Sequence, residues 1–162
     1  MSTNILLVAT LASGLMAGLF YAWSISVTPG LAKIEDEHYL QAFQKMNRAI
    51  INPLFIIPFF GLVLILPYLS YINFVSGNIK VFIFSSISTS LYLCGIMLIT
   101  IFGNIPLNNS LEKLDIKSMS PEEMKNFRDG FEKKWNRLNT VRTISSLLSL
   151  LMLIIACLIT IR

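Results

Sequence analysis

The chain has 162 residues, of which 54% are hydrophobic and 14% charged, against about 25% charged in ordinary soluble domains. Mean hydropathy is +0.67, which excludes a soluble globular class. The net charge of +4 suits lipid headgroups or membrane topology rather than nucleic acid.

Four stretches carry no charged side chain: Ile5 to Val27, Pro53 to Ile79, Val81 to Leu111 and Thr143 to Ile161. Each is long enough for a membrane-crossing helix, which needs about 20 apolar residues. The chain therefore reads as one integral membrane domain over 1–162, with spans at about 4–27, 53–74, 80–102 and 143–161. The first run is too long, and its leading end too poor in bases, for a cleaved signal peptide. All nine acids, and eleven of the thirteen Lys and Arg residues, lie in Lys33–Asn52 and Glu112–Arg142. In a four-span chain both segments fall on one side. The positive-inside rule makes that side cytoplasmic and both termini external, in a cell (inner) membrane. Cys94 and Cys157 lie in spans and read as small apolar filler.

The first span carries Gly14 and Gly18 in GxxxG spacing, a general device for close helix packing in lipid. It is expected to stop at Thr28-Pro29-Gly30. Lys33–Asn52 reads as an amphipathic helix or an extension of the second span. His38, Gln41, Lys45, Arg48 and Asn52 share one face, and Phe43, Met46 and Ile50 lie on another. The second span contains Pro58 and Pro67, each removing a backbone donor and predicting a kink. The third should end near Gly103, because Asn104-Ile105-Pro106-Leu107-Asn108-Asn109 follows. The fourth helix starts with a capping box, Ser120-Pro121-Glu122-Glu123. It runs on for about 60 Å at 1.5 Å per residue, so half of it projects from the membrane or it bends near Gly130. The fold class is thus all-α, a four-transmembrane-helix bundle with helices 2 and 4 extended on the cytoplasmic side.

KMNRAI at 45–50 matches KWNRLN at 134–139 without gaps at Lys, Asn and Arg. Each copy precedes an even-numbered span, and each follows a span ending in a turn with proline and leucine. Two parallel hairpins related by an axis along the membrane normal would give this pattern.

The charged start of the last helix runs into its apolar part at Glu132, Trp135, Asn139 and Arg142, spaced 3, 4 and 3 and so on one face. Asn136 and Thr143 border that face. One reading is interfacial anchoring, with Arg142 snorkelling to headgroups and Trp135 in an aromatic belt. That leaves the amides unexplained. Asn47, Asn52, Asn104, Asn108, Asn136 and Asn139 gather at the same depth, and a buried amide without a partner costs about 1–3 kcal/mol. They either cap and stitch helices or line a polar pocket with Arg48 and Arg142, walled by Trp135 and Tyr21. Such a pocket suits a planar, oxygen-bearing, partly apolar molecule. His38 is the sole histidine, so no multi-histidine metal site or bis-histidine haem can form. No metal site and no cofactor is predicted, and no phosphate loop, nucleophile elbow or nucleotide fingerprint occurs.

Four segments carry a family resemblance: GLMAGLFYAWSISVTPGL, QAFQKMNRAIINPLF, NIPLNNSL and FEKKWNRLNTVRT. In this order they resemble the anthrone oxygenase-like family of small four-span membrane proteins, over most of the chain. The family pattern falls on Gln44, Asn47, Arg48, Asn52 and Pro53, then on Asn104, Pro106, Leu107 and Asn108. On the last helix it falls on Phe131, Trp135, Asn136, Asn139, Arg142 and Thr143. Members in fungal polyketide pathways oxidise anthrones to anthraquinones with molecular oxygen. The resemblance therefore implies a cofactor-independent oxygenase acting on a phenolic or anthrone-type molecule. Arg142, Asn139, Asn136 and Glu132 would be the catalytic set, with Glu132 or His38 accepting a proton. Trp135, Asn104, Asn108, Asn47, Arg48, Asn52 and Tyr21 would bind substrate. A non-catalytic lipid or small-molecule carrier and a purely structural membrane subunit stay open, as does a homo-oligomer. The expected partners are the bilayer and a small hydrophobic or aromatic molecule, with no nucleic acid.

Overall fold

Each uncharged run seeds one long helix, and the last helix begins well before the run that seeds it. The computed structural model describes residues 2–161. Its five helices are α1 (Thr3–Leu31), α2 (Asp36–Ala49), α3 (Pro53–Val75), α4 (Ile79–Glu112) and α5 (Pro121–Ile161). Among the described residues there is no strand. The long apolar helices α1, α3, α4 and α5 are of membrane-crossing length, and the protein is an all-helical integral membrane bundle.

Two expected helix ends are corrected. α1 does not stop at Thr28-Pro29-Gly30 but continues to Leu31. α4 does not end near Gly103 but continues past Pro106 to Glu112. A proline inside a helix clashes with the carbonyl four residues earlier and lacks a donor. Here the backbone widens first. Trp23–Val27 and Thr100–Asn104 are π-helical turns, and Pro29 and Pro106 then sit in the first turn of the resumed α-helix, where a missing N–H costs nothing. In both helices a widened turn starts six residues before the proline, and in α4 another, Leu93–Leu98, precedes it. The two sequence hairpins therefore share this device as well as their Lys-Asn-Arg match.

α3 starts where Asn52 caps it, its Oδ1 accepting from the Phe55 N–H at 3.2 Å, with Pro53 at the first helical position. It runs unbroken through Pro58 and Pro67. Gly77, at φ 74°, makes the turn into α4. α5 opens with the reciprocal cap read from the sequence. Glu123 Oε2 accepts from the Ser120 N–H at 2.7 Å, and Ser120 Oγ accepts from the Glu123 N–H at 3.3 Å. Gly130 does not interrupt its 41 residues.

The long helices form a square. α1 packs on α3 and α5, and α4 packs on α3 and α5. Leu6, Phe20, Phe59, Leu62, Tyr92 and Leu153 fill the apolar centre. The tightest crossing is between α4 and α5. A Cβ on Gly95 would lie 2.2 Å from Ser145 Oγ and 2.5 Å from its Cβ, and Ser88 Oγ lies 2.8 Å from Ser149 Oγ in the same seam. The Gly14 and Gly18 stripe is looser: a Cβ would meet only Leu150 at 3.9 Å, or nothing.

A second cluster lies beyond the apolar square. α2 lays Tyr39, Leu40 and Phe43 against Leu111, Ile116, Phe131 and Trp135. Arg128 fastens it. Its guanidinium donates to Asp36 at 2.8 Å, to Glu132 at 2.9 Å and to the carbonyls of Ile34 and Ala32 at 2.7 and 3.1 Å, over the Tyr39 ring. The link between α1 and α2 is thereby fixed to the polar half of α5.

Candidate functional site

Where the square meets the α2 cluster the helices leave a cavity of about 490 Å³, within the usual range for small-molecule sites of roughly 300–1,000 Å³. The widened turns of α1 and α4, the first two turns of α3, the end of α2 and Trp135–Arg142 of α5 surround it. Isolated π turns recur at functional sites because they re-aim side chains within a helix. Here the two widened turns bring Trp23, Thr100 and Asn104 to the wall.

Most of the wall is apolar, with Leu19, Phe20, Phe55 and Phe59 prominent. Its polar part is built around Arg142. Arg142 Nη2 donates to Asn139 Oδ1 at 2.8 Å, and Asn139 Nδ2 donates to Ser24 Oγ at 2.9 Å. Ser24 Oγ lies 2.8 Å from Thr143 Oγ1. This relay fixes the Asn139 amide with its oxygen towards the arginine. The guanidinium also lies 4.8 Å from the Phe20 ring centre and 5.3 Å from that of Trp135, within cation–π range. Among the described residues no acid pairs with Arg142, and its Nε is buried without a partner.

Unpartnered polar atoms gather on this wall. Asn104 is 1% exposed, and neither its Nδ2 nor its Oδ1 has a partner. Asn47 Nδ2 and Thr100 Oγ1 are likewise buried and unpartnered. Each such atom costs about 1–3 kcal/mol when unsatisfied. Several on one cavity wall are complementary to ligand oxygens and hydroxyls. Trp135 Nε1 donates to Asn108 Oδ1 at 2.9 Å, which orients the indole. At the mouth Arg48 Nε donates to Glu112 Oε1 at 2.6 Å, joining α2 to the end of α4.

Of the residues singled out in the sequence, Arg142, Asn139, Trp135, Asn104, Asn108, Asn47 and Arg48 line this cavity. Four do not. Tyr21 is 47% exposed on the outer face of α1, because the helical phase turns Phe20 inward instead. Asn52 is occupied as the α3 cap, also donating to the Ala49 carbonyl at 2.8 Å. Glu132 is bound to Arg128. Asn136 is partly buried with an unpartnered Oδ1 but is not on the wall. His38 lies outside it too, largely exposed and 3.8 Å from Glu35. Among the described residues no three of His, Cys, Asp and Glu come together as a metal-ligand set.

Sequence reasoning missed Phe20, Trp23, Thr100 and Glu112, all on the wall. A signal for two of them existed: Trp23 and Thr100 hold equivalent positions ahead of Pro29 and Pro106. Ser24 escaped notice because a serine in an apolar run looks like small-residue packing.

No curated protein and no solved structure matches the chain. Residues 46–152, which include α3, α4 and the Trp135–Arg142 wall, match the family described as anthrone oxygenase. The chain belongs to the anthrone oxygenase family.

Proposed function

We propose that the cavity is the active site of a cofactor-independent oxygenase acting on a planar phenolic or anthrone-type molecule. The observation that carries this reading is the buried Arg142, held by Asn139 and without an acid, on a cavity wall where Asn104, Asn47 and Thr100 also present buried polar atoms without partners. A cation in that setting favours negative charge on a ligand oxygen. An anthrone that loses a proton from its methylene carbon becomes an electron-rich enolate with its charge on oxygen. Arg142, Asn139 and Asn104 would hold that oxygen, and Trp135 and Phe20 would face the rings. The carbanion form then gives an electron pair to molecular oxygen and a C–O bond forms. Loss of the second hydrogen from the same carbon, with O–O cleavage, leaves the quinone carbonyl and releases water.

The proton acceptor in this reading is Glu112 rather than Glu132 or His38, because Glu112 is the carboxylate on the cavity wall. The polar loops, and with them the mouth, would face the cytoplasm, since they hold eleven of the thirteen Lys and Arg residues.

The test is oxygen uptake and quinone absorbance with a hydroxylated anthrone in proteoliposomes. The protein should exceed the autoxidation rate in empty vesicles, and Arg142→Ala and Asn139→Ala should abolish the excess while remaining folded. A rate equal to that of empty vesicles would sink the enzyme reading. A second reading, binding or transport without chemistry, is favoured by one observation: Glu112 is already engaged by Arg48. A ligand recovered unchanged with no oxygen consumed would support it.

A further inference from the structure

The cavity has two sides on which a ligand could arrive, and they differ in chemistry. Towards the polar loops, the Arg48–Glu112 ion pair bridges α2 and α4 across the mouth. The Tyr39, Phe43, Phe131 and Trp135 cluster closes the space behind it. Towards the bilayer, α3 and α4 part. They pack along Ile79–Tyr92, and their tie nearest the loops is Tyr92 Oη donating to the Phe59 carbonyl at 2.8 Å. Beyond that tie the cavity occupies the gap between Phe55–Phe60 and the widened Thr100–Asn104 turn. The rim of this gap is apolar and exposed: Ile56, Phe60 at 50% and Ile105 at 43% all line the cavity while facing outward. Asn104, Thr100 and Arg142 lie inside, at least nine-tenths buried, with unpartnered polar atoms.

We propose that the cavity fills sideways from the bilayer, through the gap between α3 and α4 rimmed by Ile56, Phe60 and Ile105. Its ligand is then a membrane-dissolved amphiphile that enters oxygen-bearing end first. This rests on the reading of the cavity as a binding site for a planar, oxygen-bearing molecule, and deepens it by naming the phase the molecule comes from. The polar atoms at the inner end satisfy oxygens shed of water. The apolar rim is matched to hydrocarbon and offers a charged or strongly hydrated solute nothing in exchange for its water. An apolar tail could remain in the gap while the head is bound.

The protein carries its own reporters, since its two tryptophans, Trp23 and Trp135, both line the cavity. The full chain is reconstituted in phosphatidylcholine vesicles, 2-methyl-1,4-naphthoquinone is added, and saturable quenching of tryptophan fluorescence is followed in time. Ile105→Phe narrows the rim and should slow quenching several-fold. Phe60→Ala widens it and should speed quenching. Neither position packs in the core, so folding is retained, and circular dichroism checks it. Unchanged rates in both variants, with aqueous iodide quenching the tryptophans readily, would overturn side entry and leave the binding site standing. Absence of any saturable quenching would overturn the binding site itself, and side entry with it.

Discussion

Arg142 and Asn139 lie one turn apart on α5, and the guanidinium donates to the amide oxygen at 2.8 Å. This contact orients the arginine but cannot neutralise it. A buried arginine without a carboxylate is costly, up to about 2.5–3.5 kcal/mol for an arginine at the centre of a membrane-inserted helix and less nearer the interface.

That cost makes a sharp prediction. Arg142→Met keeps the length of the side chain and removes the uncompensated charge. Thermal stability in detergent should stay level or rise. Binding of a quinone or anthrone probe should fall by at least about tenfold, as expected for a charge-assisted hydrogen bond worth about 1.5–3 kcal/mol. Stability that falls together with binding would instead make Arg142 a structural residue.

Asn104 tests the same separation without a charge. Both polar atoms of its side chain are buried and unpartnered. Asn104→Leu removes two unsatisfied groups and keeps most of the volume. The melting temperature should rise or hold, and probe affinity should weaken by about 1–3 kcal/mol. If the amides only stitched helices, the substitution would be strongly destabilising, and a melting curve separates the two.

The four spans were legible because membranes demand long uncharged runs, and the cap at Ser120 was legible because it uses a fixed residue spacing. The polar stripe Trp135, Asn139 and Arg142 could be read from helical phase alone. The ends of α1 and α4 could not. Proline rules place a stop before Pro29 and Pro106, whereas a π turn absorbs the missing donor and the clash, and nothing local in the sequence demands that widening. Tyr21 and Phe20 show the limit at the site: adjacent aromatics are equivalent by composition, and only the packing of α1 on α5 decides which one faces the cavity. Glu132 was misplaced for a related reason. It lies on the Trp135 face, but Arg128 one turn earlier binds it, and only the packing of α2 on α5 shows that Arg128 is turned away from the cavity, towards Asp36.

Arg128 gives the opposite profile to Arg142. Its guanidinium has two carboxylates and several backbone carbonyls as partners. Arg128→Ala would leave Asp36 and Glu132 without their partner and loosen α2 on α5, where Phe43 still packs on Phe131 and Trp135. Breaking a fully buried pair from one side costs about 3–5 kcal/mol; these pairs are part-buried, so a smaller but clear fall in melting temperature is expected. Arg128→Lys should recover only part of it, because an ammonium cannot span the same fork of acceptors. Arg128 is about 21 Å along the helix from Arg142, at 1.5 Å per residue. Probe affinity per folded molecule should therefore change far less than stability. An affinity loss as large as that of Arg142→Met would place Arg128 in the binding site.

The α4–α5 seam holds the cavity wall in place, and Gly95 is where it is tightest. A methyl group there would sit 2.5 Å from the Ser145 Cβ. Rotation of the serine hydroxyl cannot relieve that contact, so the helix backbones must separate. Gly95→Ala should cost about 1–3 kcal/mol, the usual range for overpacking. Gly18→Ala, where no atom lies within 4 Å, should stay within about 0.5 kcal/mol of the parent, as at sites without such a feature. Thermal unfolding of both variants in one detergent gives the comparison. Equal losses would mean that the GxxxG stripe of α1 is packed as closely as the α4–α5 crossing. A loss confined to Gly95→Ala would locate the close approach that sets the spacing between Asn104 on α4 and Arg142 on α5.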